Sequence, residues 1–424
     1  MRVMKKDKRK SNFPEGFLWG ASTSSHQVEG ELRNNWTEWE EENVQELIGR
    51  TPKYIREELQ TFSMEEDCHK SNSKYSCESF KYWERDIEAM KELGLKAYRF
   101  SIEWSRIEPQ EGVFSQEGLD YYINLVKELK ENGIESVVTL WHWTIPVWLE
   151  KEGGVMSKSF FMYWKRFVEF VLNGLGDEVI YWITINEPGV FCAMSYLVGR
   201  WPPCKKSSFL SLKYQLYIFP KSHRIAYKII KGKNVGAKVS FAHQAPNFEA
   251  YEGKFINKVI ATVSNFFVNH IQLNSVRRYL DFMAINFYFN NLVSISGNKN
   301  TNDKVTDLGW WYKPETLEDI LKTLYKKYKL PIMVTENGLA DDQDMLRKDW
   351  IEKSVVAMGN CINDGVEIMG YLHWSLLDNF EWADGFWPKF GLVSIDYETK
   401  ERRIRDSARF YSNIIKRNGI IAQE

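Results

Sequence analysis

The chain has 424 residues, of which 44% are hydrophobic and 15% aromatic, and its 56 basic and 57 acidic residues leave a net charge of −1. This balance does not favour a nucleic acid or an anionic membrane as partner, because either would select a basic surface. Residues 1–11 are basic and no apolar stretch follows them, so we predict a flexible terminus rather than a secretory signal, and nowhere does the chain approach the ~18 continuous apolar residues of a membrane span.

Short apolar runs alternate along the chain with longer stretches in which apolar residues recur every three or four positions. The short runs predict strands at residues 17–21, 97–101, 136–140, 181–185, 239–242, 282–285, 332–335 and 370–373. The longer stretches predict helices, among them residues 80–93, 118–132, 158–172, 314–328 and 346–363. Eight strand–helix repeats predict an α/β fold, a (β/α)8 TIM barrel that forms a single domain over residues 12–424.

An open, doubly wound sheet is the structural alternative to the barrel. A nucleotide-binding sheet of that kind carries a G-x-G-x-x-G turn after an early strand, and this sequence has none. The closed barrel is therefore the better interpretation. The polar stretch at residues 296–304 is predicted to be a surface loop.

The sequence contains no pattern typical of a metal site or of a set of disulfide bonds. The five cysteines, Cys68, Cys77, Cys192, Cys204 and Cys361, are scattered and form no C-x-x-C pair, which favours reduced thiols and a cytoplasmic location. The seven histidines include no H-E-x-x-H motif and no group with ligand spacing. We therefore predict neither a metal nor another cofactor.

Polar and aromatic side chains lie in the predicted strands, at their ends or in the loops that follow them. The active site of such a barrel lies at the carboxyl ends of the strands, so these side chains are expected to converge. They are Gln27, Arg99, His142, Asn186, Glu187, Asn286, Tyr288, Glu336, Trp374, Glu381 and Trp382.

Glu187 and Glu336 end different predicted strands, and each is adjacent to an asparagine. A lone glutamate at a strand end is most often structural or solvated, but two that converge in one barrel provide what cleavage of a glycosidic bond requires. One carboxyl group protonates the leaving oxygen while the other supports positive charge at the anomeric carbon. A separation of roughly 5 to 5.5 Å would make the second carboxylate a nucleophile and retain configuration, whereas a wider gap would admit water and invert it.

Five sequence motifs occur in order, NFPEGFLWGA at residues 12–21, YRFSIEWSRI at 98–107, TINEP at 184–188, TENG at 335–338 and WSLLDNFEW at 374–382. Together they resemble glycoside hydrolase family 1, the family of β-glucosidases and β-galactosidases. The resemblance implies that Glu187 is the acid/base and Glu336 the nucleophile of a retaining reaction, with Arg99 and Tyr288 supporting Glu336. It also implies that a β-glycoside is bound by Gln27, His142, Asn186, Asn286, Trp374, Glu381 and Trp382.

Glu381 bears on the class of substrate. Relatives that cleave phosphorylated disaccharides tend to carry a small hydroxyl residue at this position, and a carboxylate would repel an anion. We therefore expect non-phosphorylated β-D-glucosides, β-D-galactosides or β-D-fucosides. Lys389 argues only weakly against this, because the resemblance implies a basic residue there in the ordinary branch of the family as well.

The chain departs from the family pattern between predicted strands five and six. Residues 244–281 form a short segment in which residues 265–270 suggest only a remnant helix. One hypothesis is that this side of the barrel is open or mobile and exposes apolar surface to a ligand or to a second subunit in a homo-oligomer. The other is that a short loop and a compact helix close the gap.

Several alternatives for the function stay open. Trp143-Thr144 after His142, and the absence of the family's tryptophan near residues 153–155, leave the choice of aglycone undetermined. A silent barrel that binds a glycoside or a flat hydrophobe is the alternative from outside the enzymes, and the two glutamates argue against it. A transglycosylase or a phospho-glycosidase is the nearer alternative among enzymes.

Overall fold

The computed structural model describes residues 11–50 and 72–420, and all eight predicted strands are present in it. We number the barrel strands β1 (Leu18–Ser22), β2 (Ala97–Ser101), β3 (Glu135–Trp141), β4 (Tyr181–Asn186), β5 (Lys238–Gln244), β6 (Met283–Phe287), β7 (Ile332–Asn337) and β8 (Ile368–Trp374). They are parallel, and β8 pairs with β1 to close the ring. The predicted barrel is confirmed.

The strands are almost continuously buried because the barrel interior covers one face and the outer helices cover the other. A separate cluster of buried side chains draws on seven strands and fills the interior, among them Ala97, Val137 and Ile183. β1 contributes Gly20 at this level. A Cβ atom on Gly20 would lie 2.1 Å from the carbonyl oxygen of Ala97, so only glycine fits beside β2.

The outer layer follows the strands in chain order, and the five predicted helices lie within a few residues of their expected bounds. The main helices are Ser79–Leu93, Gln116–Glu131, Phe160–Leu175, Phe219–Lys233, Phe255–Asn265, Ile271–Val276, Leu317–Tyr328, Arg347–Asn363 and Asp406–Arg417. Shorter helices are Ser25–Val28, Asn35–Glu42, Val44–Arg50, Trp104–Ile107, Val147–Lys151, Pro188–Cys192 and Ser208–Lys213. None of the helices in the described ranges is long and apolar enough to cross a membrane.

Single turns of other helix types connect these elements. Turns of 3-10 helix are Ser73–Tyr75, Gly154–Met156, Tyr251–Gly253, Arg277–Tyr279, Pro314–Thr316 and Trp382–Asp384. Turns of π-helix are Ala193–Val198, Tyr214–Ile218 and Phe266–His270.

The segment between β5 and β6 covers its side of the barrel. β5 pairs directly with β6, and residues 255–276 run as two α-helices joined by the π-helical turn Phe266–His270. The second of these helices packs against Phe219–Lys233, where the Arg224 guanidinium donates to the Ser275 carbonyl oxygen at 3.0 Å. The hypothesis of an open side is therefore wrong, and the helical structure extends well beyond the predicted remnant at residues 265–270.

Short strands complete the chain outside the barrel. Asn247–Ala250, Asn290–Ser294 and Gly297–Asn298 form one small sheet, and Val393–Ile395 pairs with Arg402–Ile404. Gly297–Asn298 corrects the prediction of a loop over residues 296–304, because two of its residues form a hairpin with Asn290–Ser294. At the chain ends, Ser11 pairs with Ile420, so the predicted flexible terminus includes one paired residue, while residues 1–10 lie outside the described ranges.

Candidate active site

Glu336 lies at the carboxyl end of β7 and is buried. The Arg99 guanidinium, from β2, donates to its Oε1 at 2.5 Å, and the Tyr288 hydroxyl donates to its Oε2 at 2.6 Å. Arg99 is positioned in turn by Thr139 of β3, whose Oγ1 accepts from Nε at 3.0 Å. Both oxygens of Glu336 therefore receive a hydrogen bond, and one of the two donors is a cation.

Glu187 directly follows β4 and has different neighbours. The Asn286 side-chain amide donates to its Oε1 at 2.8 Å, and Thr335 Oγ1 donates to Asn286 Oδ1 at 2.7 Å, which fixes the orientation of that amide. Burial raises the pKa of Glu187 well above its usual range, and the nearby charge of Glu336 raises it further. The carboxyl group of Glu187 is thus held in its protonated form.

Asn186 connects Arg99 to His142. Its Oδ1 accepts from the Arg99 guanidinium at 2.7 Å, so its amide nitrogen is the group that lies 2.9 Å from His142 Nε2. Burial lowers the pKa of His142 well below its usual range, and the charge of Arg99 lowers it further. His142 is neutral, Nε2 accepts, and the proton is on Nδ1, a buried atom without a hydrogen-bond partner among the described residues.

Gln27 and Glu381 form a second polar group in the site. The Gln27 amide donates to Glu381 Oε2 at 3.2 Å and to the Phe380 carbonyl oxygen at 2.9 Å. Asn379 donates to the same carboxyl oxygen at 3.0 Å. Burial raises the pKa of Glu381 to about 8, because these neutral amides offset the lost hydration only in part.

Tryptophan and histidine rings line the apolar side of the site. Trp374, at the end of β8, packs with Tyr288 and lies 6.2 Å from the His142 ring, measured between centroids. Trp382 stacks on His142 at 5.9 Å and contacts Trp143 at 4.6 Å. Both predicted tryptophans are buried.

The backbone at the strand ends and in the loop after β8 adopts conformations that residues other than glycine rarely take. Glu187, Trp143 and Trp382 have φ values of 39°, 78° and 50°. Gly338 passes close to β8, and a Cβ atom there would lie 1.8 Å from the Trp374 carbonyl oxygen. The strands that carry Glu336 and Trp374 are thus in direct contact where they end.

The structure brings all eleven predicted residues to the carboxyl end of the barrel. Two carboxyl groups in contrasting environments, a set of amide and imidazole donors and a wall of indole rings are arranged for acid-assisted cleavage at an acetal carbon. The described residues contain no group of three His, Cys, Asp or Glu side chains placed to hold a metal ion.

The sequence matches the model of "Glycosyl hydrolase family 1" over residues 9–270 and 246–420, which is nearly the whole chain. The chain belongs to glycosyl hydrolase family 1. Among its relatives, beta-glucosidase A of Acetivibrio thermocellus is 31% identical and the match covers 97% of this chain and 99% of the relative. A 1,4-beta-D-glucan glucohydrolase of Thermotoga neapolitana is 30% identical, with 96% and 99% covered. The protein is thus a glycoside hydrolase.

Solved structures of family 1 enzymes have the same fold. A beta-glycosidase from Pyrococcus horikoshii matches with a TM-score of 0.85 and 30% identity over 98% of this chain and 97% of its own. The beta-glucosidase from Thermotoga maritima in complex with glucoimidazole matches with a TM-score of 0.85 and 28% identity, with 97% and 100% covered.

Several residues of this family 1 site are not among those predicted from the sequence. Thr139 and Thr335 hold Arg99 and Asn286, and Asn379 holds Glu381. A signal exists for the two threonines, because each is a hydroxyl residue two positions before the end of an apolar strand. No local signal exists for Trp201, whose ring lies 4.7 Å from that of Trp143 only because the loop after β4 folds back over the site.

Proposed function

We propose that the chain hydrolyses terminal, non-phosphorylated β-D-glucosides with retention of configuration, through a covalent glycosyl-enzyme intermediate on Glu336, and that β-D-galactosides and β-D-fucosides are further substrates. The proposal rests on the different hydrogen-bond donors of the two carboxyl groups. Glu336 receives hydrogen bonds from Arg99 and Tyr288, whereas Glu187 receives one from the neutral amide of Asn286.

Glu336 is suited to act as the nucleophile. A guanidinium and a phenol that both donate to it stabilise the carboxylate and orient its oxygens. Burial raises the pKa of Tyr288 well above its usual range, and the charge of Glu336 raises it further, so the phenol keeps its proton and remains a donor. Attack by Glu336 on the anomeric carbon forms the glycosyl ester and breaks the bond to the leaving oxygen.

Glu187 is suited to act as the acid and then as the base. Its raised pKa supplies a proton to the leaving oxygen in the first step. The negative charge of Glu336 is lost when the ester forms. One of the causes that raise the pKa of Glu187 is then removed, and this pKa falls. Glu187 then remains ionised, removes a proton from water and directs the hydroxide to the anomeric carbon.

Neutral polar groups and a carboxyl group are suited to recognise the sugar hydroxyls. We assign the Nδ1–H of His142 and the amides of Gln27 and Asn186 to the hydroxyl groups, with Asn186 serving the 2-hydroxyl, and we place Asn286 at the reacting end beside Glu187. Glu381 accepts from further hydroxyls, while Trp374 and Trp382 cover the apolar face of the ring.

The neutral hydrogen-bond partners of Glu381 support a substrate without phosphate. Its partners Gln27 and Asn379 carry no charge, and the Lys389 ammonium lies 4.6 Å above the ring of Tyr397. A bound phosphate would therefore find no cation among the side chains that donate hydrogen bonds to Glu381. The relatives named above as a beta-glucosidase and a glucan glucohydrolase support the preference for glucosides.

We also propose that the protein works in the cytoplasm, where thiols stay reduced. Cys77, Cys192, Cys204 and Cys361 are unpaired, and Cys68 lies outside the described residues. A thiol titration of the protein unfolded without reductant should return all five cysteines. A lower count would show a disulfide and contradict the proposal.

Azide rescue tests the roles of both carboxyl groups. We expect the wild type to cleave aryl β-glucosides, with Glu336→Ala and Glu187→Ala both strongly impaired. Azide should restore turnover to Glu336→Ala and give the α-glycosyl azide, because it attacks once from the face that Glu336 normally occupies. Azide should give the β-glycosyl azide with Glu187→Ala, because it intercepts the covalent intermediate. Exchanged products would reverse the two roles, and an inactive wild type would leave a silent sugar-binding barrel.

A further inference from the structure

Apolar side chains face solvent on the helices that follow β5. In the α-helix Phe255–Asn265 the buried residues are Asn257 and Ala261. The exposed residues, spaced by three and four positions along this helix and its following turn, are Phe255, Ile256, Val259, Val263, Phe266 and Phe267. Phe255 is 83% exposed and Phe267 62%. An amphipathic helix normally buries its apolar stripe, so the reversed orientation points to a partner.

A second exposed apolar stripe lies on the helical stretch that contacts the last helix after β5. Phe209, Leu212 and Leu216 lie on one side of the helical stretch at residues 208–218, and Phe209 is 75% exposed. The Gln272 amide donates to Gln215 Oε1 at 2.8 Å and joins this stretch to the helices after β5. We call the two stripes together the apolar face.

The apolar face lies on the same side of the barrel as the candidate active site. The helix Phe255–Asn265 packs on the small sheet formed by Asn247–Ala250 and Asn290–Ser294. These two strands follow the carboxyl ends of β5 and β6, respectively. The apolar face is therefore part of the rim through which substrate enters a barrel of this type.

The same part of the chain is strongly basic. Residues 188–280 contain fourteen Lys and Arg residues but only two acidic ones, Glu249 and Glu252, which is a net charge of +12. The rest of the chain therefore has a net charge of −13, so the total of −1 is the sum of a basic segment and an acidic remainder. None of the fourteen is buried. Lys206, Lys254 and Lys258 are exposed beside the apolar face, whereas others, such as Lys238 at the start of β5 and Arg278 before β6, lie toward the amino ends of the strands.

Three lysines beside exposed aromatic and aliphatic side chains fit an anionic lipid surface. The lysines complement the lipid headgroups, and the phenylalanine rings enter the boundary between headgroups and acyl chains. A nucleic acid would satisfy the charge but leave the apolar stripes in water. A second copy joined by a two-fold axis through the apolar face would bring two basic regions together, which like-charge repulsion opposes.

We propose that the apolar face is a docking site for anionic membrane surfaces. The protein lies on the bilayer with residues 255–267 and 209–216 in the interface and without crossing it. The docked orientation turns the rim of the barrel toward the lipid. Binding is independent of Glu187 and Glu336, so this proposal and the proposed hydrolysis stand or fall separately.

Vesicle flotation of the full-length protein tests the proposal. We expect the wild type to float with vesicles of phosphatidylglycerol and phosphatidylcholine, less with phosphatidylcholine alone, and less at high salt because screening weakens the attraction. Phe255→Ser/Phe267→Ser should lower the partition coefficient at least ~10-fold because two rings leave the interface. Lys254→Glu/Lys258→Glu should lower it on anionic vesicles alone.

Matched controls separate docking from folding. Val113→Ser/Met345→Ser changes two exposed apolar residues elsewhere on the surface and should bind lipid as the wild type does. The cleavage of aryl β-glucosides should be equal in all these variants. Failure of the wild type to bind anionic vesicles, or equal losses in the control, would overturn the proposal. So would a dimer in analytical ultracentrifugation that Phe255→Ser/Phe267→Ser dissolves, because it would assign the face to a second copy.

Discussion

Glu187 and Glu336 are chemically identical side chains that differ in the groups that donate hydrogen bonds to them. Glu336 is bonded to a guanidinium and a phenol, while the bonded neighbour of Glu187 is the amide of Asn286. At the scale of single residues, the proposed division of work between acid and nucleophile thus rests on a few donor atoms supplied by other strands.

Asn286→Ala should move the alkaline limb of the kcat/KM profile to higher pH. The amide of Asn286 stabilises the ionised form of Glu187, so its removal raises a pKa that burial already raises. The acid then stays protonated to higher pH. Initial rates on an aryl β-glucoside across the pH range measure the shift.

Asn298→Ala is the matched control for that experiment, because Asn298 lies on the exposed hairpin outside the barrel. Its profile should coincide with that of the wild type. A limb that stays in place or moves to lower pH in Asn286→Ala would show that the amide does not act on the titrating acid.

Glu381→Gln should become more stable relative to the wild type as pH rises. Burial raises the pKa of Glu381 to about 8, against a usual value of 4.5. A group with a raised pKa in the folded state contributes stability below its unfolded pKa and loses it as pH rises toward the folded value. The wild type should therefore lose stability between about pH 4.5 and 8 through this residue.

Thermal unfolding at pH 5, 6.5 and 8 measures the effect, since glutamine has a similar shape and no titration. The difference in melting temperature should grow with pH in favour of Glu381→Gln, while sugar binding falls. A difference that is constant across this range would mean that Glu381 keeps its ordinary pKa.

At the scale of elements, the site depends on how closely the ends of neighbouring strands approach. Gly338 follows β7, and its Cα lies against the Trp374 carbonyl oxygen at the end of β8. The two elements carry Glu336 and Trp374, so the contact determines how far the Glu336 carboxyl group is from the apolar wall.

Gly338→Ala should separate these two strand ends. The added methyl group would lie 1.8 Å from the Trp374 carbonyl oxygen, and we expect a loss of about 1–3 kcal/mol in the free energy of unfolding. Activity should fall more than stability explains, because catalysis is sensitive to displacements of about 1 Å. Urea denaturation and kcat/KM are the measurements.

Gly232→Ala provides the comparison, because Gly232 lies on the helix Phe219–Lys233 with open space at its Cβ position. Alanine is the better helix former, so this variant should equal or exceed the wild type in stability. Equal losses in both variants would show that the contact between β7 and β8 has no special role.

At the scale of the whole molecule, an ion pair joins the last strand–helix unit to the first. The Arg402 guanidinium donates to Asp86 Oδ1 at 2.9 Å and to the Cys77 carbonyl oxygen at 2.9 Å. Asp86 lies in the helix after β1, and Arg402 in the short strand after β8. Burial raises the pKa of Asp86, and the charge of Arg402 opposes that rise.

Arg402→Met should therefore destabilise the fold by about 3–5 kcal/mol, because it leaves Asp86 buried without its partner. The side chains of this pair are only 5% and 4% exposed. Arg403→Met, which breaks the exposed pair with Glu401, should change stability by less than about 1 kcal/mol. Chemical denaturation of both variants measures the free energy of unfolding. Similar losses in the two variants would show that burial of the ion pair does not determine its contribution to stability.

The sequence by itself determined the strand–helix alternation and the barrel, because each depends on periodicities within a few neighbouring residues. It also identified which polar residues end the strands, and in a parallel barrel all strand ends meet on one side. For that reason the convergence of Glu187, Glu336, Arg99 and His142 was predictable without coordinates.

Only the tertiary structure decided which atoms pair and which helix faces point outward. Thr139 reaches Arg99 and Trp201 reaches Trp143 across 40 and 58 residues of chain, and no local pattern encodes such contacts. The segment between β5 and β6 was short enough to suggest an open side, yet it contains helices whose apolar stripe faces solvent. Periodicity defines a stripe on a helix, but its direction depends on how the neighbouring elements pack, which is a property of the assembled fold.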